Sequence, residues 1–196
     1  MQIRESGISF QFDSSWKIIR YDAHRYYQGL SGAGLKGVDF IGLREDRELF
    51  LFEVKNYHPR TEMHSSSSLW QREDAVEVVA EAVSRKFEDT LTACRAIHAY
   101  HHRKWLFRIM QNRSGLLRKF KPEWYFWSQV HRLVQHTDTL KAVCWIETLH
   151  PREVVQTQLL SLLKRRLQHL DLPVLVASCE RHPFAGSLRA EMIRKK

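Results

Sequence analysis

The stretch from Gly37 to Tyr57, GVDFIGLREDRELFLFEVKNY, constrains this chain more than any other. Its second half, LFLFEV, is apolar at every position except Glu53. Side chains of a strand alternate between faces with a period of two. Phe50, Phe52 and Val54 therefore share one face, and Leu51, Glu53 and Lys55 share the other. Apolar residues on both faces predict a buried central strand. In the first half, Asp39 shares a face with Ile41 and Leu43. A loop over Glu45, Asp46 and Arg47 would close the hairpin and put Asp39 opposite Glu53. Facing carboxylates repel and weaken a sheet, so the pair asks for a cation between them. Lys55 stands one step further along the same face.

Two facing carboxylates beside an ammonium suit metal-dependent phosphodiester hydrolysis. Mg²⁺ takes hard oxygen ligands, often one or two carboxylates, and keeps several waters. It can acidify a water and stabilise charge developing on phosphate. A lysine ammonium is a compact point charge that can sit beside both. Asp39, followed by Glu53-Val54-Lys55 on the next strand, resembles the D…(D/E)-x-K signature of the PD-(D/E)xK phosphodiesterase superfamily, which includes restriction endonucleases and repair nucleases. Gly37, just before the aspartate, fits the looser form of that pattern. The resemblance implies a restriction-endonuclease-like fold. It implies that Asp39 and Glu53 bind Mg²⁺ (or Mn²⁺), with the Val54 carbonyl as a further ligand, and that Lys55 assists catalysis. It also implies a polar residue from the helix after the E-x-K strand, for which Lys86 is the candidate. The plain alternatives are charges alternating on the wet face of an antiparallel strand and, for Lys86, a solvated flank.

A chain of 196 residues with 43% hydrophobic content suits one packed domain over residues 1–196. It lacks any apolar run of about 18 residues, so no membrane span is expected. The start, MQIRESGISFQF, does not read as a signal peptide. Cys94, Cys144 and Cys179 are odd in number, far apart and without zinc spacing. They read as small buried thiols in a reducing, cytoplasmic compartment. The balance of 31 basic against 22 acidic residues gives +9. That surplus favours a polyanion. With the hairpin, it makes nucleic acid, DNA first, the expected partner, and the charge is expected around the mouth of the site. The oligomeric state stays open, a homodimer included.

Elsewhere, residues 8–12 and 16–21 read as strands, with a helix over 23–30 capped by Asp22. A continuous helix over 16–30 competes. Residues 31–37 are glycine-rich and read as a loop, and the serine-rich segment after Tyr57 reads as irregular. Residues 72–104 carry a helical stripe of Val76, Val79, Ala80, Val83, Phe87, Leu91, Cys94 and Ile97, with Lys86 and Thr90 beside it. Residues 104–139 interleave aromatic and basic side chains and read as a helical insertion, with Trp124 to Trp127 as core. Residues 141–147 and 173–179 read as parallel strands joined by a helix whose stripe is Val154, Leu159, Leu162, Leu163, Leu167 and Leu170. His24, His98, His101 and His102 are weaker site candidates, since two histidines one turn apart lack a third ligand.

The expected fold is therefore α/β, a restriction-endonuclease-like mixed β-sheet flanked by helices with a helical insertion. The expected function is Mg²⁺-dependent hydrolysis of DNA, or of RNA, by a metal-activated water. The alternatives are a catalytically inactive nuclease fold that binds nucleic acid or protein, and a protein in which Glu53 and Lys55 form only a salt bridge.

Overall fold

The computed structural model describes residues 1–57, 74–111, 114–148, 152–184 and 186–193. Gln2–Glu5 (β1) and Ile8–Phe12 (β2) join Leu188–Met192 (β8) in a small antiparallel sheet of order β1-β2-β8. Trp16–Arg20 (β3), Phe40–Arg44 (β4), Glu48–Asn56 (β5), Leu140–Glu147 (β6) and Val174–Ala177 (β7) form the main sheet in that order. The pairs β3/β4 and β4/β5 are antiparallel, whereas β5/β6 and β6/β7 are parallel. The main sheet is thus mixed, with β5 at its centre.

The hairpin register is the one the short loop requires, with Arg44 opposite Glu48 and Phe40 opposite Phe52. Glu45 and Asp46 both adopt positive φ, 53° and 56°. Left-handed backbone is costly for residues with a Cβ, and this turn is tied down from outside. The Asp46 carboxylate accepts from the Lys17 ammonium at 2.5 Å and the Tyr125 hydroxyl at 2.9 Å.

Six α-helices accompany the sheets among the described residues: Arg25–Ser31 (α1), Ala75–His102 (α2), Trp105–Gln111 (α3), Ser114–Phe120 (α4), Pro122–Val134 (α5) and Arg152–Arg166 (α6). The apolar stripe of α2, from Val79 through Phe87 to Ile97, packs on Ile41, Leu43, Leu49, Leu51, Ala142 and Ile146. The other face of the sheet presents Phe40, Phe50, Phe52, Val54, Val143 and Trp145 to Ile3, Ile8, Phe10 and Phe12 of the small sheet. Phe10 meets Phe40 and Trp145 edge-on, with centroids 5.3 and 5.0 Å apart. This double covering is why β5 is apolar on both faces. Helices α3, α4 and α5 make the insertion between α2 and β6. Tyr125, Phe126 and Trp127 are buried in the core.

Four local expectations change. Residues 8–12 form the expected strand, but with β1 and β8 it makes a separate small sheet that covers one face of the main sheet. Its outer strands β1 and β8 are short and join the ends of the chain through β2, a pairing no local pattern announces. Asp22 does not cap α1: its amide and that of Tyr21 both face the Asp39 carbonyl, prolonging the β3/β4 ladder. His24 is the cap instead, its Nδ1 accepting from the Tyr26 amide at 3.3 Å. Val154 is 55% exposed, because α6 buries Val155, Leu159 and Leu163. Cys94 and Cys144 are buried, but Cys179 is only partly so. The serine-rich segment falls on residues 58–73 and, like the tail at 194–196, lies outside the described residues. No helix among the described residues is long and apolar enough to cross a membrane.

Gly37 shows how tightly the approach to β4 is packed. A Cβ there would fall 2.7 Å from Tyr27 Cε2 and 3.0 Å from Tyr21 Cδ1. Tyr21 is fully buried and has nowhere to move. Gly37→Ala is expected to cost about 1–3 kcal/mol, the usual range for overpacking, measured as a lower midpoint in urea with an unchanged slope.

Candidate active site

The end of β4 is held from two sides before its aspartate appears. On α2, the Thr90 hydroxyl accepts from the buried Val38 amide at 3.1 Å, and Asp89 accepts from the Lys36 amide at 2.9 Å. On β5, the Phe52 carbonyl accepts from the Asp39 amide at 3.0 Å. The Asp39 carboxylate in turn accepts from the Val54 amide at 2.6 Å. Backbone and side chain of Asp39 are therefore both anchored to β5.

Glu53 is completely buried on the helix-covered face of β5. Both its oxygens accept from Lys86 of α2, at 2.7 and 2.9 Å, and Lys55 lies 2.8 Å from Oε1. Lys86 also stands 3.8 Å from Asp39 Oδ1. Asp39, Glu53, Lys55 and Lys86 thus converge on one face, with the Lys86 ammonium reaching both carboxylates. Removing an ion from water costs several kcal/mol unless it is paired, and here the pairing comes from two lysines on two different elements.

The electrostatics follow from burial and crowding. Burial, reinforced by the charge of Glu53, raises the pKa of Asp39 to about 7 against the opposing pull of Lys86 and the Val54 amide. For Lys55, burial works to lower the pKa, but the Glu53 carboxylate outweighs it and the net shift is upward. Lys55 is therefore a cation at neutral pH. Burial raises the Tyr57 phenol to about 12, so it stays protonated.

The donor set can be tested against a hard divalent cation. Two carboxylates from adjacent strands face one volume, and that volume is filled by ammonium charge. Asp39 also gains from any further positive charge, since its ionised form is held back by burial and by Glu53. Among the described residues no third His, Cys, Asp or Glu joins them. Mg²⁺ commonly completes its shell with waters and few protein ligands, so the residues fit.

Two contributions escape sequence reading. Thr90 positions the approach to Asp39; its spacing of one turn from Lys86 was the available signal. Glu147 is a second buried carboxylate, but it lies on the opposite face of the sheet from Glu53. It accepts from Trp145 Nε1 at 3.3 Å and the Cys179 amide at 2.5 Å, and it pairs with Arg152 at 3.4 Å. It ties strand ends together. Among the described residues, the candidate histidines take other roles. His24 caps α1, His98 stacks on His131 at 3.2 Å, and His101 is buried beside Tyr26, Phe107 and Trp124.

The charge is uneven along the chain. Residues 90–122 contain no Asp or Glu, but hold Arg95, Arg103, Lys104, Arg108, Arg113, Arg118, Lys119 and Lys121. Nearly the whole net charge of +9 therefore resides in the end of α2 and the insertion. His102 is sixteen residues beyond Lys86 along α2, about 24 Å at 1.5 Å per residue. That end of α2 lies away from the carboxylates.

Comparison with protein-family models, curated proteins and solved structures finds no match for this chain.

Two outcomes are expected. Thr90→Val leaves the buried Val38 amide without its partner and should cost about 1–3 kcal/mol in chemical denaturation. An unfolded aspartate titrates near 3.9 and folded Asp39 near 7. The folded state therefore holds the proton more tightly in between, and stability falls as pH rises through that window. Asp39→Asn abolishes this fall. In chelator, the variant should be more stable than wild type at pH 8, with the difference vanishing towards pH 4, as read by urea midpoints.

Proposed function

We propose that this protein is a Mg²⁺-dependent nuclease of restriction-endonuclease-like fold that hydrolyses phosphodiester bonds of DNA. The observation carrying this reading is the convergence of Asp39, Glu53 and Lys55, with the Lys86 ammonium 2.7 Å from Glu53 and 3.8 Å from Asp39. The element order of hairpin, long helix, strand, helix and strand in a mixed sheet supports the fold assignment. Asp39, Glu53 and the main-chain carbonyl of Val54 would hold the ion. When bound, Mg²⁺ supplies Lewis-acid activation of a water and neutralises charge at the phosphate.

The side chains have separable roles. Asp39, half-neutral near pH 7 on its own, is the carboxylate whose ionisation depends on a cation. Glu53, buried and immobile, fixes both ammonium groups. Lys55 stays protonated, so it serves as a fixed positive charge for the phosphate and the leaving oxygen, not as a base. Lys86 neutralises the carboxylate pair from above and keeps α2 in place over it.

A second reading has its own observation. Lys55 and Lys86 already satisfy both oxygens of Glu53, as in an inactive nuclease fold that binds nucleic acid without cutting it. Activity separates the two. The protein is incubated with supercoiled, linear and single-stranded DNA and with RNA, in Mg²⁺, Mn²⁺ or chelator. Hydrolysis is expected with metal alone, and Lys55→Ala should lower it by about 100-fold or more while retaining calorimetric Mg²⁺ binding. Asp39→Ala and Glu53→Ala should lose binding and cleavage together. Mg²⁺ binding without cleavage of any substrate would favour the inactive fold. Equal cutting by Lys55→Ala would remove Lys55 from the mechanism.

A further inference from the structure

The end of α2 furthest from Lys86 borders a cleft of about 380 Å³ against α1. That size falls within the range of small-ligand sites. Tyr26 and Tyr100 line it, with ring centroids 5.9 Å apart and planes inclined at 61°. Leu30 and Ile97 are among its apolar lining residues. The Arg25 guanidinium lies 5.0 Å from the Tyr26 ring centre, and the Lys104 ammonium 4.4 Å from that of Tyr100. Gly29 lies on the lining, and a Cβ there would meet nothing within 4 Å.

Aromatic rings beside the Lys104 ammonium match one nucleotide unit, while the Arg25 guanidinium is held in a pair with Glu123 at 2.5 Å. Bases of single strands stack on aromatic rings while Lys and Arg meet the phosphates. The surroundings point the same way. The cleft opens at the start of the acid-free stretch, and Trp105 and Phe120 of the insertion are 65% and 61% exposed. A base inside a duplex cannot enter such a cleft, so the strand must be single.

Geometry links the cleft to the carboxylates. Lys86 and the cleft residues Ile97 and Tyr100 belong to one helix, and because Thr90 and Ala93 between them are buried, the separation along α2 is the shortest path a strand outside it could take. From Lys86 to Ile97 and Tyr100 is about 16–21 Å at 1.5 Å per residue. A stacked strand advancing about 3.4 Å per nucleotide covers this in about five or six nucleotides. We propose that the α1–α2 cleft holds one nucleotide of a single-stranded nucleic acid whose backbone reaches the Asp39–Glu53 site about five or six nucleotides away. The proposal rests on reading that site as a phosphodiesterase centre.

Binding is measured apart from cleavage, by fluorescence anisotropy of a labelled oligothymidylate of about 12 nucleotides in chelator. Tyr100→Ala, which removes a stacking face, and Gly29→Phe, which fills the cleft on an exposed helix, should each weaken binding by about 10-fold. Lys104→Ala should weaken it more than Lys164→Ala, an equal loss of charge on α6. Circular dichroism melts confirm that each variant folds. A single strand of about three nucleotides should bind far more weakly than the longer one.

The cleft assignment is overturned if both Tyr100→Ala and Gly29→Phe bind the oligonucleotide like wild type. It is also overturned if they lose binding only to vesicles containing phosphatidylglycerol, which would make the surface a lipid contact. Failure of the site reading looks different: cleft variants would still weaken oligonucleotide binding, and no strand would be cut with Mg²⁺ by wild type.

Discussion

A carboxylate has been placed where water cannot reach it, and much of the architecture follows from keeping it paired. Glu53 sits under α2 on the central strand, and its charge is balanced only because Lys86 arrives from the helix and Lys55 from two residues along the strand. Breaking a buried pair leaves an uncompensated charge worth several kcal/mol. The helix therefore cannot rotate freely on the sheet. Its rotation is set jointly by the apolar stripe and by the lysine at its edge. The hairpin is equally constrained, since a one-residue slip would send Asp39 to the aromatic face of the sheet.

The same helix acts as a spacer. Near its middle, Lys86 and Thr90 serve the carboxylates and the chain leading to Asp39. At its far end, Tyr100 helps form the cleft with α1, and the basic insertion begins. Such a division separates the charge that would attract a polyanion from the charges that would act on it. Long-range attraction does not require the basic residues to crowd the reacting atoms.

The two faces of the main sheet are specialised in different ways. The helix-covered face carries every charged group of the candidate site, embedded among aliphatic side chains. The opposite face is aromatic, packed edge-to-face against the small sheet, and its one buried carboxylate, Glu147, is consumed in tying β6 to the segments beyond β7 and α6. Phe40, Phe50 and Phe52 thus give β4 and β5 a rigid backing behind the carboxylates.

Local periodicity made much of this legible. Alternation along LFLFEVK and a short loop are enough to bring Asp39 to the face of Glu53, because a strand has a period of two and a tight hairpin has one register. The ladder itself ends at Phe40 opposite Phe52, and Asp39 is held by the Phe52 carbonyl and the Val54 amide. The helical stripe over residues 72–104 shows where α2 lies and leaves Lys86 at its border. Interactions between residues remote in sequence were not legible. The pairing of β2 with β1 and β8 was not legible, because β1 and β8 are short strands of alternating polarity that look like loops until a partner is present. The choice of His24 over Asp22 as a cap depended on where the Asp39 carbonyl lies. The partner of Lys86, the hold of Thr90 on Val38 and the cleft between α1 and α2 each need two elements in fixed orientation. The sequence by itself determined the strands of the main sheet, the long helix and the shared face of the two carboxylates, because those depend on near neighbours. Only the tertiary structure decided which cations balance Glu53 and where the basic surface lies, because burial and charge pairing are properties of elements packed together.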